Sequence, residues 1–262
     1  MLDEIVANRK RQVAINRGLV PIKFLESSIY FTSKCISLKE NLLLSDNAGI
    51  ISEFKRKSPS KGIIKEQANV KDITTGYVEA GATALSILTE PDFFMGGDND
   101  FLIARAANNC TLLRKDFIVE EYQIIETKSL GADVVLLIAA CLEKQELKTL
   151  YQLAKSLGME VLFEVHSLEE LDKIPNDDLI LGVNNRNLKT MEVNLDTSFI
   201  IADKYANHFT LISESGLSTA KEIIELKKVG FKGFLIGESL MRTSNPAETL
   251  SKLIAEMKIL QP

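Results

Sequence analysis

Four times along the chain, a helical stretch of mixed polarity ends at a glycine and gives way to a short apolar run. Ala80-Gly81-Ala82 leads into Ala84-Leu85-Ser86-Ile87-Leu88, and Leu130-Gly131-Ala132 into Asp133 and then Val134–Ile138. Leu157-Gly158 leads into Glu160-Val161-Leu162-Phe163, and Val229-Gly230 into Gly233-Phe234-Leu235-Ile236. Glycine just past a helix is a stop signal, because it enters the left-handed region at little cost. A short, nearly unbroken apolar run is the pattern of a strand buried on both faces.

The stretches between these runs have helical periodicity. Within 145–158, Leu147, Leu150, Tyr151, Ala154 and Leu157 fall on one stripe, as do Ala220, Ile223, Ile224 and Leu226 within 219–230. Further apolar runs lie at 49–54, 111–113, 179–183 and 209–212. About eight strands alternating with helices in about 250 residues predict a parallel α/β protein, a single (β/α)8 TIM barrel. A doubly wound sheet is the rival. Its Gly-rich fingerprint is missing after the first strand, where Lys55-Arg56-Lys57-Ser58-Pro59 stands instead. Residues 2–16 read as helix, so 1–46 are expected to form an N-terminal helical extension. Residues 47–262 are expected to be the barrel, within one domain spanning 1–262.

A barrel enzyme keeps its site at the C-terminal ends of the strands. Here the first run ends in Glu53 and Lys55, the third in Lys115 and the fifth in Glu164. The sixth ends in Asn184 and Arg186, the seventh in Glu214 and Ser215, and the eighth in Gly237. The N-terminal ends show no comparable gathering of charge. Alternation sharpens this, since residues i and i+2 share a strand face. Phe54 suits the helix layer, which turns Glu53 and Lys55 into the mouth. Leu113, Lys115 and Phe117 form a like series, as do Leu162 with Glu164, and Gly182, Asn184, Arg186 and Leu188. Each charge alone has an ordinary explanation: a solvated basic turn at 55–57, a surface Glu164, or turn chemistry at Glu214-Ser215-Gly216. Met191 and Phe93-Phe94 read as packing. Six charged groups at the same position on different strands point to a functional site, because buried charges are costly unless paired or used. Ser215-Gly216 and Gly237, with Ser239 beyond it, lie where barrels hold phosphate on backbone N–H groups.

Composition narrows the ligand. Lys+Arg 31 against Asp+Glu 36 gives a net charge of -5, so nucleic acid and anionic membranes are not attracted in bulk. Any anion must be held by local groups. With His 2 and no HExxH, a histidine metal site is not expected. Cys35, Cys110 and Cys141 form no CxxC, which favours a reducing cytosol over a disulfide framework. The first residues lack a signal-peptide core, and the apolar stretch 134–142 falls short of the roughly 18 residues a membrane span needs. A cytoplasmic protein is expected, with neither membrane nor nucleic-acid partners.

These residues resemble one enzyme family. Residues 52–62, Ser-Glu-Phe-Lys-Arg-Lys-Ser-Pro-Ser-Lys-Gly, are similar to the first-strand signature of the indole-3-glycerol-phosphate synthases. The resemblance continues through Leu88-Thr89-Glu90, Phe93-Phe94-Met95-Gly96 and Leu113-Arg114-Lys115-Asp116-Phe117-Ile118. It extends over Leu162-Phe163-Glu164-Val165 and 182–188, then Ser213-Glu214-Ser215-Gly216 and 235–241. It implies ring closure with decarboxylation and dehydration of 1-(2-carboxyphenylamino)-1-deoxyribulose 5-phosphate, in tryptophan biosynthesis. It implies a carboxy-lyase without cofactor or metal. By resemblance Lys115 is the general acid and Glu164 the acid/base of dehydration. Glu53 and Lys55 are a pair orienting Lys115 and meeting the substrate carboxylate, while Asn184 and Arg186 fix the sugar-derived chain. Glu214 holds hydroxyls or the cations. Ser215, Gly216, Gly237 and Glu238 cradle phosphate, with the Glu238 side chain expected to aim outward. Phe94, Phe117, Leu136 and Leu188 wall the anthranilate ring, and Ser58 and Pro59 shape a lid loop. A monomer is expected, with association to other tryptophan-pathway enzymes left open. Phosphoribosylanthranilate isomerase is the enzyme rival, but it would use a Cys/Asp pair where the first strand here carries Lys55. A non-catalytic phosphate-ligand barrel is the rival from another class.

Overall fold

The eight apolar runs are the strands of one closed parallel barrel in the computed structural model, which describes residues 1–44, 47–175, 177–187 and 190–260. They are β1 (Ile50–Phe54), β2 (Ala84–Leu88), β3 (Leu112–Lys115), β4 (Val134–Ile138), β5 (Glu160–Val165), β6 (Ile180–Asn184), β7 (Thr210–Glu214) and β8 (Gly233–Ile236). Each strand pairs with the next, and β8 closes on β1 with Ile50 opposite Phe234. Among the described residues, three helices precede β1: α1 (Leu2–Leu19), α2 (Ile22–Glu26) and α3 (Leu38–Leu43). The barrel helices are α4 (Val70–Glu79), α5 (Pro91–Phe94), α6 (Asp98–Ala107), α7 (Glu121–Ser129), α8 (Lys144–Ser156), α9 (Asp196–Tyr205), α10 (Ala220–Lys228), α11 (Glu238–Met241) and α12 (Pro246–Leu260).

The strand alternation divides the core in two. Ile51, Leu113, Leu136, Leu162, Ile212 and Leu235 fill the barrel, whereas Phe54, Leu85, Val135, Phe163 and Phe234 pack outward against helices. This is the alternation expected of Ile51, Glu53 and Phe54. The helices stop where the sequence says they should: Gly81, Gly131, Gly158 and Gly230 all have positive φ.

Two departures have local causes. The β5–β6 connection carries only a 3-10 segment, Glu169–Lys173, because Pro175 forces Ile174 into extended backbone. The loop after β1 is not simply a basic turn. Lys57–Ser58 pairs antiparallel with Gly62–Ile63, forming a small hairpin over the mouth.

The lower end of the barrel also departs from expectation, since it does carry carboxylates. Leu38 and Leu42 of α3 plug the bottom of the inner core. Glu160, at the start of β5, accepts hydrogen bonds from Ser37 Oγ, Leu38 N and Lys39 N, at 2.6, 2.6 and 3.2 Å. Asp133 accepts from Ile36 N, Leu112 N and the Arg105 guanidinium. The pattern missed these charges because their partners are mainly backbone groups, which the sequence does not display.

Candidate active site

β1, β3, β5 and β7 each deliver one long charged side chain to the same point above the inner core. Lys115 Nζ lies 2.5 Å from Glu164 Oε2 and 2.6 Å from Glu214 Oε2. Lys55 Nζ lies 2.6 Å from Glu53 Oε1. Asn184 Nδ2 donates to Glu164 Oε1 at 3.1 Å. The Glu53, Glu164 and Glu214 side chains are all nearly inaccessible to solvent. The inward strand faces therefore converge as the alternation predicted.

Electrostatics follow from that burial. Burial alone would push Lys115 down, but Glu164, Glu214 and Glu53 outweigh it and raise the lysine well above its ordinary value. Burial would push Glu164 up, yet Lys115 and His166 hold it well below the usual carboxylate range. Glu214 goes the other way. Burial, with Glu164 and Glu53 nearby, outweighs its Lys115 contact and raises it to about 7. Its Oε1 has no hydrogen-bond partner. One lysine thus faces two carboxylates, and near neutrality the two are not equivalent.

Space for this cluster comes from glycines. A Cβ on Gly182 would collide with Glu214 Oε1, and one on Gly237 would lie 2.5 Å from Glu53 Oε1. Gly216 has φ +82°, and a Cβ there would collide with Val193 Cγ1. Ser215 before it also has positive φ, 67°. The ESG turn after β7 is therefore a left-handed bend against the 191–193 segment.

A cavity of about 670 Å³ opens over the cluster. Ser58, Pro59, Phe94, Phe117, Leu136, Arg186, Ser215, Gly216, Gly237 and Glu238 line it, together with the charged cluster. Leu188 lies outside the described residues. Phe94 and Phe117 face each other with ring centroids 6.0 Å apart. Phe94 is held there because the buried Glu90 carboxylate caps α5, accepting from the Asp92, Phe93 and Phe94 N–H groups. Asn185, next to Asn184, faces away from the mouth and ties β6 to β7 through Ser213 Oγ and the Glu214 and Ser215 carbonyls.

The Glu238 expectation needs correction. Its side chain is not aimed away into solvent but lines the mouth between two guanidiniums. Glu238 Oε1 accepts from Arg242 Nε at 3.1 Å, and Oε2 lies 3.8 Å from Arg186 Nη2. Cations on both sides offset the charge of this carboxylate.

Several lining residues were missed by sequence reasoning. Met191 and Val193 reach the mouth, and Met191 is more than packing, since its carbonyl accepts from Arg186 Nη1 at 3.2 Å. Met1, Leu2 and Ile5 of the N-terminal extension close one side. Arg9 of α1 is buried and ion-paired to Asp116, next to Lys115 in sequence. Asp116 also accepts from Thr89 Oγ1 and lies 3.2 Å from Arg114 Nη2. Arg114, fully buried and pointing outward from β3, is satisfied by Glu126, Asp98, Thr89 and Thr127. Only the alternation of β3 hinted that Lys115 and Arg114 serve opposite layers; nothing in the sequence marked Arg9.

Among the described residues, five cations (Lys55, Lys61, Lys115, Arg186, Arg242) and five carboxylates (Glu53, Asp116, Glu164, Glu214, Glu238) line the cavity, so these charges are mixed rather than simply cationic. Among the described residues, no helix is long and apolar enough to cross a membrane, and no group of His, Cys, Asp and Glu has the makings of a metal site.

Known proteins resemble this chain at two levels. Solved structures match in fold at low identity. A tryptophan synthase alpha-subunit from Pyrococcus furiosus superposes with TM-score 0.59 at 14% identity, over 81% of this chain and 98% of that one. The 3-hexulose-6-phosphate synthase of Salmonella typhimurium gives TM-score 0.60 at 12% identity, over 80% of this chain and 99% of that one. Sequence relatives are far closer. The indole-3-glycerol phosphate synthase of Bacteroides thetaiotaomicron is 43% identical over 254 residues, covering 97% of both chains. That of Salinibacter ruber is 41% identical, covering 98% of this chain and 96% of its own. With the family's sequence profile matching residues 2–253, the chain belongs to the indole-3-glycerol phosphate synthase family.

Proposed function

We propose that the charged cluster at the barrel mouth divides this family's reaction among Lys115, Glu164 and their neighbours. The substrate is 1-(2-carboxyphenylamino)-1-deoxyribulose 5-phosphate. Its aromatic carbon bearing the carboxylate attacks the ketone carbon, so a C–C bond forms and the ketone oxygen gains negative charge. That oxygen then competes with Glu164 and Glu214 for a proton of Lys115, which acts as general acid. CO2 leaves and restores the aromatic ring. For dehydration Glu164, as acid/base, takes a proton from the CH2 beside the nitrogen and passes one to the departing hydroxyl, so the C–OH bond breaks, water leaves and the C=C bond of the indole forms.

The surroundings support these roles. Lys55, held by Glu53, is the cation for the substrate carboxylate, and Asn184 and Arg186 fix the sugar-derived chain. Glu214, lifted to about 7, exchanges a proton near neutrality and accepts hydroxyl hydrogen bonds at its unpartnered Oε1. The backbone at Ser215, Gly216, Gly237 and Glu238 receives the phosphate. Phe94, Phe117 and Leu136 keep water from the aromatic ring, which favours loss of a neutral CO2. Ser58 and Pro59 sit on the hairpin that closes over the substrate. Every group comes from one chain, so a monomer suffices. The unit is 1–262, with 1–46 bracing barrel 47–262, acting in the cytoplasm without cofactor; its ligand is a phosphorylated small molecule.

The observation that carries this reading is Lys115 bridging Glu164 and Glu214 beneath a cavity of about 670 Å³. Incubation with the substrate tests it. Indole fluorescence and one CO2 per turnover are expected, against the dark background of a chain with Trp 0. Folded protein that binds the substrate and yields neither would be a binding barrel. Glu164→Gln is expected to slow dehydration more than ring closure in single-turnover traces; the reverse order would take the role from Glu164.

A further inference from the structure

His166 continues the inward series Leu162, Glu164 one step beyond the end of β5. Its side chain is nine-tenths buried, at 10% exposure, and does not line the cavity. Nε2 lies 3.2 Å from Glu164 Oε1, on the side of that carboxylate away from Lys115. Nδ1 lies 3.5 Å from Glu170 Oε2, and the same oxygen accepts from the His166 backbone N–H at 2.8 Å. Neither ring nitrogen makes a hydrogen bond of good geometry, yet each lies within ion-pair distance of a carboxylate.

We infer that His166 is a positioning residue for Glu164, supplying the countercharge that remains when Lys115 gives its proton to the substrate. This rests on the roles proposed for Lys115 and Glu164. Once Lys115 is neutral, Glu164 is left buried among Glu53 and Glu214, and burial drives such a carboxylate to take up a proton. A charged imidazole on its other oxygen keeps it ionised through ring closure, ready for dehydration. The imidazole has the needed charge: burial pushes it down, but Glu164 and Glu170 raise it to about 9. The groups facing it are few. The ionisable groups acting on it are Glu164, toward the mouth, and Glu170, on the 3-10 segment; both also act on Cys141 after β4, as do Asp3 of α1 and Lys173. The Lys173 ammonium is engaged by the Ala139 and Leu142 carbonyls. Burial, with Glu164 and Glu170 near, lifts the Cys141 thiol to about 12, so it stays neutral.

The test uses His166→Gln and Glu170→Gln in the full chain, beside the wild type. His166→Gln is expected to lower kcat by about ten- to a hundredfold, the worth of one charge-assisted contact, with KM changed less than about threefold. Its acidic kcat limb moves to higher pH, because Glu164 holds its proton more tightly without the imidazolium. Glu170→Gln, changed at a more exposed side chain, moves both readouts the same way by less. It carries the kinetic test should His166→Gln misfold. A separate readout needs no turnover: the chain has His 2, so 15N-histidine labelling gives two imidazole titrations. The His166 signal should titrate near pH 9, and lower in Glu170→Gln. Wild-type kcat and limb positions in both variants, or titration at the ordinary value of about 6.5, would overturn the inference. A wild type inactive on the substrate would instead overturn the roles on which it rests.

Discussion

The two ends of the barrel spend carboxylates in opposite ways. At the lower end, Glu160 and Asp133 accept from backbone N–H groups of the N-terminal segment, which fixes α3 as a plug. At the upper end, Glu53, Glu164 and Glu214 answer other side chains, and one Glu214 oxygen answers nothing. Backbone donors are permanent and cannot lose a proton, so the lower carboxylates build structure. Side-chain donors titrate and can be competed away, so the upper carboxylates are available to a substrate. The difference lies in the partner and not in the residue type.

Substitutions at the two ends should therefore fail differently. Lys115→Ala is expected to lower kcat by about 10²–10⁴-fold, the usual worth of a positioned acid, with KM much less affected. A variant with near-wild-type kcat would remove Lys115 from the chemistry and collapse the contrast. Arg9→Met should destabilise the protein by about 3 kcal/mol, the low end for stripping a buried pair, since Asp116 keeps Arg114. Urea unfolding measures this, and a loss under 1 kcal/mol would mean that the extension is not tied to the mouth through this pair. Glu160→Ala should cost about 1–3 kcal/mol, as acceptors for a helix start are lost, while kcat of the folded fraction stays as it was. A fall in kcat there would show that the lower end is not purely structural.

The smallest effect concerns pH. Glu214 is raised in the folded chain, so it binds a proton more tightly folded than unfolded. Its contribution to stability is fully present below the unfolded carboxylate value and is lost as pH rises through about 7. Glu164 has the opposite sign: its contribution is present above the unfolded value and fades only as pH falls well below it. Glu214→Gln should then flatten the decline in stability between pH 5 and 8. Denaturant midpoints at pH 5, 6.5 and 8 that fall as steeply as in wild type would rule out Glu214 as the titrating group.

How much of this was legible in the sequence follows the same division. Strands were legible because burial on both faces writes an unbroken apolar run, as at Val134–Ile138. The mouth was legible because a period of two places Glu53, Lys115 and Glu164 on one face, whatever their partners. His166 stands two residues past Glu164, but a lone histidine after a strand reads as loop until Glu170 is seen beside it. Arg9 was illegible because its partner, Asp116, is over 100 residues away. Glu238 was misjudged because repulsion was weighed against phosphate alone, without Arg186 and Arg242 on either side. Glu160 was overlooked because backbone donors carry no letter in the sequence.

Gly182 shows how an empty position can govern a charged one. It offers no polar side-chain atom, yet its missing methyl is the berth in which Glu214 Oε1 lies. Any side chain there would force that oxygen to move, and with it the carboxylate whose other oxygen binds Lys115. The double carboxylate contact of Lys115 at the top of the barrel thus depends on a clearance one carbon wide in the neighbouring strand. Nothing that touches the substrate would have to change for it to be lost.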